Sequence, residues 1–196
     1  MEKRRFMKRN EGYSLTELII VLAIIGVLTG AAMVTISIIH SAKAKEASST
    51  MEDALSELEA NAKGRMGVVG GVEQPDYQFA LAIYKSGSRY YLKKGYYKGN
   101  GLAKNDASNY EFVASENGGG GKGTSFSSFI QITYVDSAGV ERDITGLDDN
   151  PVFIIYDKKG MCVLGDGKYK FYRKNSTSST LGILTLNKNG SHTANN

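Results

Sequence analysis

From Leu18 to Ala42 no Asp, Glu, Lys or Arg interrupts a run of 25 residues, most of them Ile, Leu, Val, Ala and Gly. A run of that length spans about 30 Å of hydrocarbon as a helix rising about 1.5 Å per residue. Beyond it the apolar positions thin to a stripe: Ala44, Ala47, Met51, Leu55, Leu58 and Ala62 recur every three or four residues. Lys43, Lys45, Glu46, Glu52, Asp53, Glu57 and Glu59 lie between them. The pattern predicts one helix from about Ser14 to Ala62. It is apolar all round in its first half, amphipathic in its second, and ends in the glycine-rich stretch Gly64–Gly71.

After Pro75 the apolar and aromatic residues cluster in short runs. Strands are expected at Tyr77–Tyr84, Ser88–Lys94, Tyr110–Ala114, Phe129–Val135, Val152–Tyr156, Met161–Leu164, Tyr169–Arg173 and Leu181–Leu186. These runs are rich in β-branched and aromatic residues and are separated by turn sequences such as DKKG and GDG. They predict an antiparallel sheet whose apolar face covers the helical stripe. Glu116–Gly123 reads as a flexible loop, because a phosphate cradle would need a strand before it, a helix after it and a Lys-Ser/Thr ending. Residues 191–196 read as a loose tail.

Composition fits one modest domain and an appendage, with 41% apolar residues and 23 glycines. One cysteine, Cys162, excludes an intrachain disulfide framework and a cysteine-rich zinc cluster; in an apolar strand it reads as a buried structural thiol. His40 and His192 are the two histidines, which leaves little acid–base chemistry. Asp148 and Asp149 in GLDDNP read as a turn, not a metal site. No catalytic residue, cofactor or metal is called for, and the chain is expected not to be an enzyme.

Charge is concentrated at the start. Lys3, Arg4, Arg5, Lys8 and Arg9 precede the apolar run, so the positive-inside rule keeps the N-terminus cytoplasmic and sends the rest outside. Glu17 lies just within this helix, where a carboxylate near the bilayer centre costs on the order of 3 kcal/mol. A cleaved signal peptide, with Thr29–Ala32 as its small-residue site, stops short of the full apolar run. A plain signal anchor accepts the length but accounts for neither Glu17 nor the junction at Gly12 and Tyr13.

That junction, EGYSLTELIIVLAIIGVL from Glu11 to Leu28, closely resembles the N-terminus of type IV prepilins and of the pseudopilins of type II secretion and DNA-uptake machines. The resemblance implies cleavage after Gly12 by a prepilin peptidase and methylation of the new terminal amine of Tyr13. It makes Glu17 the fifth mature residue, the carboxylate that pairs with a neighbouring subunit's amine during assembly. The implied fold is α+β: a pilin-like roll with a long N-terminal helix packed on an antiparallel sheet. The implied segments are a leader (1–12), a transmembrane and filament-core helix (13–42), its amphipathic continuation (43–63), a β-rich head (64–190) and the tail (191–196). Implied partners are the peptidase and methyltransferase, further copies and related pilins, an assembly platform with its ATPase, and membrane lipid before assembly. The precursor is then a single-pass protein of the cytoplasmic membrane and the mature form part of a filament. Two departures stand out: Tyr13 replaces the phenylalanine of many pilins, and no proline precedes Pro75. A pseudopilin or DNA-uptake subunit, and a static membrane-anchored binding protein, are the alternatives.

Removal of residues 1–12 takes away five bases and two acids and lowers the formal charge from +4 to +1. Within the head, Lys85–Lys104 still holds six bases and no acid, interleaved with tyrosines. Lys93, Lys94, Lys98, Lys170 and Arg173 are therefore candidates for contact with a polyanion such as DNA, through phosphate attraction and stacking. The plainer alternative is a solvated sheet face, or a filament contact with acidic Asp136–Asp149.

Overall fold

Helix α1 spans Leu15–Gly64 without a break in the computed structural model, which describes residues 13–113 and 121–195. The leader with Gly12, and most of the loop expected at Glu116–Gly123, lie outside the described residues. The chain divides into two compact units, Met1–Ile39 and His40–Asn196. In the first, every residue from 15 to 39 is exposed. The hydroxyls of Thr29 and Thr35 donate to the carbonyls of Ile25 and Ala31 four residues back, at 2.7 and 3.0 Å, so these polar atoms are satisfied within the apolar helix.

The second unit is built on residues 40–64 of α1. His40, Ala44, Ala47, Ser48, Met51, Ala54, Leu55, Leu58 and Ala62 are its buried positions, and they include the whole of the expected stripe. Small side chains alternate with Met51, Leu55 and Leu58, which lets strands lie close against the helix. Each of these three larger residues contributes about 1.5–3 kcal/mol by leaving water.

Thirteen strands follow among the described residues. They are β1 (Gly67–Val69), β2 (Val72–Gln74), β3 (Gln78–Ser86), β4 (Arg89–Tyr97), β5 (Tyr110–Phe112), β6 (Thr124–Ser125) and β7 (Ile130–Asp136). Then come β8 (Glu141–Asp143), β9 (Val152–Tyr156), β10 (Cys162–Leu164), β11 (Gly167–Arg173), β12 (Thr180–Leu186) and β13 (His192–Asn195). One antiparallel sheet has the order β10-β9-β3-β4-β5 with β6 beside β4; a second has the order β13-β12-β11-β7-β8; β1 and β2 form a separate hairpin. Where one sheet was expected, two cover the helix.

One core joins the helical stripe to both sheets. Leu81, Ile83, Leu92 and Ile154 come from the first sheet, and Ile132, Tyr169, Phe171 and Leu184 from the second. The opposite face of the first sheet carries a smaller cluster of Ala80, Ala82, Tyr97, Tyr110, Phe153 and Ile155. Covered on both faces, β9 reads VFIIY and is buried throughout. The sheets are tied where the Lys188 carbonyl accepts from the Cys162 amide at 3.0 Å and the Gly190 carbonyl from the Tyr156 hydroxyl at 3.1 Å.

Two local expectations are corrected. The glycine-rich stretch after α1 is not only a helix terminator: Val69 pairs with Val72 around Gly70 and Gly71, whose φ angles of +60° and +82° suit a two-residue hairpin turn. Residues 192–195 are not a loose tail but β13, whose Ala194 pairs with Leu184. A polar edge strand needs only backbone hydrogen bonds on one side, and its sequence need not alternate visibly.

Candidate assembly site

The candidate residues Tyr13 and Glu17 lie at the head of α1. Ser14 precedes the first helical residue, and its backbone N–H donates to Glu17 Oε2 at 2.9 Å. In return the Ser14 hydroxyl oxygen accepts from the Thr16 N–H at 3.3 Å. The sequence SLTE thus makes the glutamate half of a capping box, while the serine hydroxyl caps the second helical N–H instead of the third; together they satisfy donors the helix cannot. A carboxylate here also faces the positive end of the helix dipole. Glu17 therefore has a task inside its own chain, one signalled by the Ser-x-x-Glu spacing and absent from the sequence-based expectations. The cap uses Oε2; Oε1 is the second acceptor this carboxylate offers.

Tyr13 is 88% exposed, and the side chains after it from Leu15 to Ile39 present an uncovered apolar surface. Among the described residues, α1 is the one helix long and apolar enough to cross a membrane. A Cβ built on Gly26 or Gly30 would meet nothing within 4 Å, so neither glycine is required by packing within the chain.

The five candidate polyanion contacts do not form one face. Successive side chains of a strand point to opposite sides, and β4 separates Lys93 from Lys94. Lys94 Nζ donates to Glu57 Oε2 on α1 at 2.5 Å, while Lys93 Nζ sits 4.8 Å from the centre of the Phe112 ring. Lys98 lies 4.0 Å from Glu111 and donates to the Ser108 carbonyl at 3.0 Å. Lys170 belongs to the other sheet and donates to Glu141 Oε2 at 2.6 Å. Thr133 and Tyr172 hydroxyls donate to Glu141 Oε1 at 2.6 and 3.1 Å. These partners, Lys170 first and then Thr133, hold the Glu141 carboxyl below the usual range. Arg173 ends β11, exposed.

Cys162 is buried, donates to the Leu164 carbonyl at 3.1 Å, and has its thiol pushed up to about 12 by desolvation, the opposite of an activated nucleophile. Asp149 accepts from the Thr145 hydroxyl at 2.7 Å within the turn before Pro151.

Residues 7–33 match the prokaryotic N-terminal methylation motif. No curated protein and no solved structure matches the chain.

Proposed function

We propose that this chain, whose N-terminal segment carries the type IV prepilin signature, is a pilin-like structural subunit cleaved after Gly12, methylated at Tyr13 and polymerised through its apolar helix. The observation that carries the reading is Glu17, the one charged side chain in residues 14–42, placed fifth after Gly12 in a helix whose next 22 residues, 18–39, are all exposed. Cleavage makes the Tyr13 amine a cation at membrane depth. The carboxylate of Glu17 on a neighbouring copy offsets it, and buried charges are tolerated when they are paired. Withdrawal from lipid then exchanges one apolar environment for another, the packed helices of a filament core.

In this role the prepilin peptidase and methyltransferase act on the precursor in the cytoplasmic membrane, and an assembly platform with its ATPase draws mature subunits out. The head stays outside and forms the filament surface. The work is structural. Intact-mass and N-terminal peptide measurement on sheared surface material tests it: the expected chain begins at methylated Tyr13. A chain beginning after Ala32, or one retaining Met1, overturns the proposal.

A further inference from the structure

The unit His40–Asn196 has two oppositely charged ends. At the C-terminal end of α1, a groove of about 510 Å³ is lined by Lys63, Arg65 and Lys158 with Met66 and Val68, against a single acid, Glu73. Arg65 and Lys158 make no ion pair among the described residues, whereas Lys63 is held 2.5 Å from Glu59. Met66 and Val68 are each 47% exposed. The groove is therefore a basic rim around uncovered apolar surface.

The complementary surface is a recess of about 540 Å³ lined by Asp106, Asp148 and Asp149 with Leu147, Ser108 and Phe112; Lys93 over the Phe112 ring and Lys98 on the Ser108 carbonyl are the cations at its edge, against three carboxylates. None of the three carboxylates makes an ion pair among the described residues. The neighbouring Arg142 guanidinium donates to the side-chain oxygen of Asn150 and, at 3.2 Å, to the Pro151 carbonyl.

Strand β9 separates the two surfaces. Asp149 and Asn150 precede it, and Asp157 and Lys158 follow it. At about 3.3 Å per residue β9 alone holds its two ends about 13 Å apart, with the acidic turn beyond one end and Lys158 beyond the other. The Lys158 end is also the end of α1, because a Cβ on Gly160 would meet the Lys63 side chain. The two surfaces cannot meet within one chain. A contact between these two surfaces of different chains is heterologous, the kind that repeats without closing when subunits are related by a screw operation.

We infer that the acidic turn of one copy, Leu147–Asp149 with Asp106, docks on the basic groove at Arg65 and Lys158 of the next copy, so that heads stack end to end. This rests on the proposal that the chain polymerises, and adds which surfaces of the heads touch. Leu147 meets Met66 and Val68 while the carboxylates meet the cations. Charges at the rim fix register and reject mismatched neighbours.

The test uses the full-length chain in its host. Arg65→Cys and Asp148→Cys combined in one chain should give a ladder of disulfide-linked multimers in sheared filaments under oxidising conditions, and each substitution alone should give monomer. Bridged Cα atoms are usually about 4.4–6.8 Å apart, so no such bond can form within a chain. Arg65→Glu and Asp148→Arg should each lower filament yield about fivefold or more, and together restore it. Filaments containing the double-cysteine chain but no ladder, or single reversals without effect, overturn the contact and leave polymerisation standing. Crosslinks only to a different protein overturn the choice of a second copy. Absence of the unsubstituted chain from filaments overturns polymerisation and this contact together.

Discussion

Replacing Glu17 by glutamine separates the two tasks this residue can perform. Glutamine keeps a neutral side-chain oxygen able to accept from the Ser14 N–H, now bonded at 2.9 Å, but removes the charge. Alanine removes both. Loss of a cap costs about 1 kcal/mol, a factor of about five in an equilibrium. Leaving a partner's terminal amine unpaired in an apolar core costs about 3–5 kcal/mol, a factor of more than about a hundred. If Glu17 only caps its helix, Glu17→Gln is close to the unsubstituted chain and Glu17→Ala slightly impaired. If its charge registers subunits, both are inserted and cleaved normally, since the leader is unchanged, and both are nearly excluded from filaments. The assay compares processed fraction by mass, membrane level and the ratio of substituted chain to an unmutated partner subunit in sheared filaments from the same cells. Incorporation of Glu17→Gln at the unsubstituted ratio refutes the pairing role.

Leu55 is fully buried between the sheets, so Leu55→Ala should destabilise the unit His40–Asn196 by about 3 kcal/mol in denaturant unfolding. A loss below about 1 kcal/mol would mean that the helical stripe is not the centre of the core. Glu141 is held below its ordinary pKa by Lys170 and Thr133. Its contribution is therefore complete above about pH 4.3 and lost as pH falls through the lowered folded value, so Glu141→Gln should weaken the unit at neutral pH and flatten its acid limb. Parallel pH–stability curves for the two chains would show that the Glu141 network contributes nothing.

The eight strands legible in the sequence are those whose side chains alternate into a core or run apolar between two covered faces, as at Leu81–Ile83 and Val152–Tyr156. The five that were not legible are two or three residues long or polar: β1, β2, β6, β8 and β13. Local turn chemistry carried a usable signal for two of them. DKKG reads as a turn, and DSAG and NKNG have the same form: an Asp or Asn, two residues, then glycine. In all three the glycine N–H donates to the carbonyl of the first residue, and the chain doubles back. Applied uniformly, that pattern places β8 after β7 and β13 after β12. The division into two sheets was less accessible, because alternation says which face of a strand is buried but not which strand lies beside it. The width of the helical stripe was the available clue. Ala47 with Ser48, and Ala54 with Leu55, bury adjacent positions, so the buried arc is broader than one sheet would cover.

The head of the helix shows the converse limit. Both the unusual position of Glu17 and the Ser-x-x-Glu spacing are plain in the sequence, and the charge alone does not reveal the cap. The capping bond alters what that charge means. A carboxylate already fixed by the Ser14 amide holds one oxygen in place near the start of the helix, so less side-chain freedom is lost when a neighbour's amine approaches. Aspartate at this position would have to reach the same amide with one methylene fewer, and glutamine would reach it without the charge. A capping role alone would be met by either glutamate or glutamine; a pairing role alone would be met by any carboxylate of sufficient reach. Glutamate is the side chain that meets both, and the intrachain bond to Ser14 prepares the group that we propose joins one subunit to the next.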